Sequence, residues 1–231
     1  MALRVAARFD RMSGACQRIK MADQEQFKGL GFRLFSTRDN ARAVAAESDP
    51  YYYEAYVGSH DIKVERGDCL FSLNQNKTEA RLQRGPINIT SSNFAVLVRG
   101  FAPDNKTSQF SRQTVLPYIN GCSTKQIFAP DRPGDPTLQL LFIPPNTTEQ
   151  HHHIHSTARC VYVLSGSGVC VLGMGNQHRI PLEAGMMCVF DPMSPHHFET
   201  QKEPLWVLPV HVWSSSEAEH HHPMYQGTFR I

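Results

Sequence analysis

The sequence predicts an all-β protein, a small barrel or sandwich with an N-terminal extension of short helices and extra strands. Three observations carry that prediction. After Pro50 the chain runs in short apolar or alternating stretches, each the length of one strand: "DIKVERG", "CLFSLNQ", "EARLQRG", "NFAVLVRGF", "LQLLFIPP", "RCVYVLSG", "GVCVLG", "MMCVF" and "PLWVLPVHVW". Turn residues (Gly, Pro and Asn) separate these stretches. The spacers are too short and polar for the crossover helices of a parallel sheet, which argues against an α/β fold.

Residues 1–49 read as an N-terminal arm with short helices. "MADQEQFKGLGFRLF" predicts a helix broken at its glycines, and "DNARAVAAES" a second short one. The first twenty residues hold four arginines, one lysine and one acid, loosely like a mitochondrial transit peptide. The expectation is a solvated arm, or initiation at Met21, in a cytoplasmic protein, with mitochondrial import as the alternative. Residues 50–112 read as an N-terminal β region packing on the barrel; its "YYYEAY" is an aromatic patch suited to burial in a homodimer. Residues 113–231 read as the barrel that carries the chemistry, followed by a tail. "RGDCLFSL" faintly echoes "EAGMMCVF", but there is no convincing internal repeat, and the first β region is short for a second complete barrel.

Composition narrows the function classes. The 231 residues are 41% hydrophobic and 19% charged, with a formal charge of +2. Near-balance argues against nucleic acid or a membrane surface as partner, and no apolar run approaches a membrane span. The six cysteines (Cys16, Cys69, Cys122, Cys160, Cys170, Cys188) form no CxxC pair, which argues against a zinc ribbon or a disulfide scaffold. The four sequons, at Asn76, Asn88, Asn105 and Asn146, read as chance without a secretory signal.

The chemistry gathers at "EQHHHIHSTARC". Residues two apart on a strand share a face, so His153 and His155 can grip one metal ion. The following strand alternates Cys160, Tyr162 and Leu164 on one face with Arg159, Val161 and Val163 on the other. Further on, "GMMCVFDPMSPHHFE" returns the chain through a Pro-rich turn, offering His196 or His197 as a third imidazole. Alternation favours His196. His151 and His152 read as solvated loop, and the C-terminal "HHHPM" as a polar tail.

At these residues the sequence resembles the cupin superfamily. Its first motif runs glycine, five residues, His-x-His, three or four residues, glutamate, six residues, glycine; His153, His155 and Gly166 match, without the leading glycine and the glutamate. In the second motif Gly185 and His196 match, with Pro192 beside the motif's proline position and the trailing asparagine absent. The resemblance covers about residues 113–215 and implies a cupin jelly-roll β-barrel. Where the family places its glutamate, three intervening residues lead to Arg159 and four to Cys160. Some cupins hold iron with three histidines alone, and the cysteine dioxygenases are similar in placing a cysteine beside the iron.

The resemblance implies a divalent transition metal on His153, His155 and His196, with Fe(II) favoured and Cu, Ni, Mn or Zn as alternatives. Cys160, Arg159 and Glu149 are expected near it. Tyr162 and His211 are the expected catalytic side chains, with plain core roles as the bland alternative. The function so implied is a non-haem Fe(II) dioxygenase of a small polar or anionic substrate. The alternatives are a metal-dependent lyase or isomerase, or a small-molecule-binding cupin without turnover.

Overall fold

The computed structural model describes residues 27–213 and 228–230, apart from 28, 47, 48, 50, 101, 102 and 110. The described chain is built from strands: β1 (Phe32–Ser36), β2 (Ala41–Val44), β3 (Tyr53–Val57), β4 (His60–Val64), β5 (Cys69–Leu73), β6 (Glu79–Arg84), β7 (Ile87–Ser91), β8 (Phe94–Val98) and β9 (Lys106–Gln109). Then come β10 (Leu116–Pro117), β11 (Ser123–Phe128), β12 (Thr137–Ile143), β13 (His153–His155), β14 (Arg159–Leu172), β15 (His178–Glu183), β16 (Met186–Phe190), β17 (His196–Glu199), β18 (Leu205–His211) and β19 (Thr228–Arg230). A single turn of 3-10 helix, Ile119–Gly121, interrupts them. Among the described residues no helix is long and apolar enough to cross a membrane.

Two expected helices are strands where the structure describes them. "FRLF" is β1, antiparallel to β16. Gly29 and Gly31, both at positive φ, end any helical path before it. Phe32 and Leu34 then alternate into the core, and Phe32 meets Phe190 at 5.1 Å between ring centroids. The Ala-rich second segment is β2, paired with β3, where Arg42 bonds Glu54 across the pair. Pairing overrides its helix propensity. Residues 21–26 and 28 of the first expected helix lie outside the described residues.

The C-terminal half forms a two-sheet barrel. One sheet runs β12–β18–β14–β16–β1 and the other β13–β17–β14–β15. Strand β14 serves both: Arg159 to Val163 pair in the first sheet and Val169 to Leu172 in the second. The crossing point is Gly166, at φ +85, where a Cβ would lie 1.8 Å from the Pro204 carbonyl oxygen. A side chain there would have to displace backbone, so this glycine is what lets one strand turn the barrel's corner.

The N-terminal half repeats most of this order. Its sheet β3–β8–β5–β6 pairs as β12–β18–β14–β16 does, and β4–β7 pairs as β13–β17 does. Chain order matches too, except that no strand stands for β15 or the second half of β14. A short turn from β5 to β6 replaces them, which is why the stretch looks too short for a barrel. The repeat has no sequence signature, because the faint echo sets β5 against β16 whereas the topology sets β5 against β14.

The apolar faces of the two first sheets pack on each other. That core holds Tyr53, Phe71, Phe94, Leu138, Cys160, Tyr162, Leu208 and Val210. The first barrel fills its own interior with Ile62, Val64, Leu70, Ala95 and Leu97. The second is apolar over only part of its length, through residues such as Val161, Val163, Phe190, Phe198 and Val207.

Candidate metal centre

Strand β13 is three residues long, and His153 and His155 both point into the second barrel, 2% and 6% exposed. Strand β17 pairs with it at His153 and His196, which brings in His196 at 4% exposure. One ring nitrogen from each of the three lies within 4.8 Å of the others. His153 Nδ1 donates to the His151 carbonyl at 3.0 Å, and His196 Nδ1 donates to the Ser194 carbonyl at 2.8 Å. Each bond fixes the tautomer and leaves the Nε2 lone pair for the cluster. Phe190 stacks on the His196 ring at 4.0 Å and holds it flat.

Burial keeps these imidazoles neutral, the form a metal needs. Desolvation pushes His153 down to about 3, and His155 and His196 well below the usual range. The set therefore fits a divalent ion, and His155 shows what loading requires. Arg159 Nη2 donates to His155 Nδ1 at 3.0 Å, so this ring carries its proton on Nε2, facing His153 Nε2 at 3.0 Å. To hold an ion through Nε2, His155 would need the tautomer with its proton on Nδ1, which does not accept from Arg159.

The chamber beside the three histidines is lined by Glu149, Arg159 and His211, with Leu141, Val161, Val207, Phe198 and Pro209 as apolar wall. Arg159 is 3% exposed and makes no ion pair among the described residues. Its Nη1 bonds Thr157, and its Nε has no partner. Burial draws it down only to about 9, so it stays charged at neutral pH. His211 is buried and held well below its usual range by desolvation and then by the Arg159 charge. Glu149 is 2% exposed, and burial lifts its carboxyl to about 7 despite hydrogen bonds from the Phe198 backbone and Tyr118.

Of the residues expected here, the structure brings His153, His155, His196, Arg159, Glu149 and His211 together and leaves two out. Cys160 and Tyr162 lie on the other face of β14, in the core between the barrels. Tyr162 stacks on Phe94 at 5.1 Å, and burial pushes the Cys160 thiol up to about 12, an inert form. The expectation that Cys160 sits beside the metal and that Tyr162 is catalytic is therefore corrected. With three residues between His155 and β14, it is Arg159 that faces the histidines. A sequence signal for this existed: six residues separate Arg159 from Gly166, the interval the resembled motif keeps between its glutamate and its glycine.

Sequence reasoning also missed Gln150, whose Nε2 lies 2.8 Å from His153 Nε2 and whose Oε1 has no partner. Nothing in the spacing points to it. His197 faces outward, meeting His152 Nδ1 at 2.8 Å and donating from Nε2 to Glu199 at 3.1 Å. His196→Ala should therefore lose bound metal, while His197→Ala should retain it, as elemental analysis of the two purified variants will read. The reverse pattern would mean that the strand is in the other register. The "HHHPM" tail lies outside the described residues.

Four buried neutral imidazoles also set the pH response of the metal-free protein. In the unfolded chain each titrates near 6.5, and in the fold His153, His155, His196 and His211 all resist protonation. Below that pH the unfolded state gains protons that the fold refuses, so stability falls as pH falls. Glu149 opposes this with one proton: its folded value near 7 against 4.5 unfolded favours the fold as pH drops through that window. Four groups outweigh one. Urea midpoints of metal-free protein should drop between about pH 7 and about pH 5; a level or rising midpoint would contradict the burial of these rings.

Comparison with known proteins agrees with this architecture. The family described as "Cupin domain" matches residues 139–211. Among solved structures, protein Ylba from E. coli has a TM-score of 0.54 at 12% identity, covering 82% of this chain and 93% of that one. A salicylate 1,2-dioxygenase from Pseudaminobacter salicylatoxidans has a TM-score of 0.52 at 9% identity, covering 86% and 95%. A putative glyoxylate induced protein from Pseudomonas aeruginosa has a TM-score of 0.50 at 11% identity, covering 83% and 92%. At these identities the likeness is one of fold. No curated protein matches the sequence. The described chain is all-β, and within its second barrel residues 139–211, which include His153, His155 and His196, match the family described as "Cupin domain".

Proposed function

We propose that this chain is a metal-dependent cupin enzyme, a non-haem Fe(II) dioxygenase of a small polar or anionic substrate. The observation that carries the reading is the group of three buried, neutral histidines with an arginine, not a carboxylate, where a fourth ligand would stand. His153, His155 and His196 would hold the ion. With only three neutral ligands the ion keeps its charge and its free positions, and when bound it supplies Lewis acidity and the electrons that activate O2. Leu141, Val161, Val207 and Phe198 give the chamber an apolar wall. The salicylate 1,2-dioxygenase that shares the fold is, by its name, a dioxygenase of salicylate, an aromatic acid.

A lyase or isomerase is the second reading, and one observation favours it. Glu149, with its carboxyl near 7, and neutral His211 are proton-moving groups in the chamber that dioxygen chemistry does not demand. The remaining expectations, a cytoplasmic homodimer acting on a small molecule, belong to the same proposal. The test is an oxygen electrode: untagged protein loaded anaerobically with Fe(II), then given thiols, diketones or hydroxy acids with O2. Consumption of O2 together with substrate supports the dioxygenase. Substrate turnover without O2 uptake supports the lyase or isomerase and overturns the oxygenase.

A further inference from the structure

The unpaired cation belongs to a larger pattern. Strands β12, β18 and β14 run side by side, and their register sets Thr137 opposite His211 and His211 opposite Arg159. Gln139 lies two residues on from Thr137, so on the same face, and is paired across to Gln126 on β11. Leu141, next on that face, and Val207, Pro209 and His211 of β18 all line the chamber, so this face is the barrel interior. Here an all-β barrel should be filled with apolar side chains, as its other end is.

Instead the patch is polar and unsatisfied. Thr137 and Gln139 are 0% exposed. Thr137 Oγ1, both polar atoms of the Gln139 amide, Gln126 Nε2 and Arg159 Nε have no hydrogen-bond partner among the described residues. Native folds leave few such atoms, because each one costs free energy unless something completes it. Most of these atoms are donors, and a guanidinium with no counter-ion heads the group. Arg159 Nε is a free donor on a charged group, the kind of donor that a carboxylate oxygen accepts from most strongly.

We infer that this patch is the anchor for the substrate's carboxylate, with Arg159 as its charged donor and Thr137 and Gln139 on the same interior face. The inference rests on the proposed metal site for the substrate's reacting end, and it names the substrate class as a small carboxylic acid. The enclosed space in the chamber is about 20 Å³, room for one water-sized group. The Glu149 carboxylate is not the missing partner, since no interaction joins it to Arg159.

The experiment is calorimetric binding of formate, acetate, pyruvate and oxalate, with acetamide and pyruvamide as neutral controls. It uses anaerobic, Fe(II)-loaded wild type, Arg159→Met and Thr137→Val. Replacing an unpaired buried charge by a side chain of similar size seldom unfolds a protein, and Thr137→Val reads the same patch independently. Wild type should prefer at least one acid over its amide by about tenfold or more. Arg159→Met should erase the preference at unchanged iron content, and Thr137→Val should reduce it. Full iron content with no acid preference in wild type, or a preference that survives in Arg159→Met, overturns the anchor and leaves the metal site standing. Protein that holds no iron yet binds acids through Arg159 keeps the anchor and overturns the metal reading.

Discussion

His153→Ala combined with His155→Ala should abolish metal binding and leave the β fold in place. Two of three ligands go, and both leave from one short strand. Even changes around a ligand cost metal sites about 10- to 100-fold in affinity, so the loss here should exceed about 100-fold. The fold survives because β13 contributes only three residues to the second sheet, while β14 and β18 carry the barrel. The metal-free variant also sheds two buried imidazoles that resist protonation, so its urea midpoint should fall less between neutral and mildly acid pH than that of metal-free wild type. Elemental analysis and circular dichroism read the two halves of the prediction. Full metal occupancy in a folded double variant would remove the site.

The barrel and the histidines were legible because each depends on a local pattern. The strands announce themselves by alternation between turn residues, and His153 and His155 by a spacing of two. His196 needed only the second motif and the parity of its strand. What stayed hidden depends on pairing across distance. Residues 32–35 and 39–44 look helical in isolation, and only β16 and β3 show why strands form there. The second barrel-like unit keeps a shared order of strands but no shared residues, so no repeat appears in the sequence. Thr137, Gln139 and Gln126 are ordinary polar residues until the register sets them along the strands that lead through His211 to Arg159. Alternation did separate Arg159 from Cys160, but it could not say which face looks inward.

That last ambiguity yields the second large effect. Arg159→Glu should create a fourth ligand beside the three histidines, since position 159 faces the chamber and its present side chain already touches His155. Divalent metal should bind at least about tenfold tighter, because a carboxylate replaces a cation next to the ion. The metal-free variant should be less stable than wild type, with a buried carboxylate lacking a partner, and metal should raise its melting temperature more than it raises that of wild type. Any activity that needs an open position or an anchored acid should be lost. Cys160→Glu is the matched control. It would drive a carboxylate between the barrels, against Tyr53, Phe94 and Leu208, at a cost of about 3–5 kcal/mol, with no gain in metal affinity. Tighter metal binding in Cys160→Glu, or loss of metal in Arg159→Glu, would mean that β14 turns its other face to the histidines. With that, both the three-His centre and the carboxylate anchor would have to be redrawn.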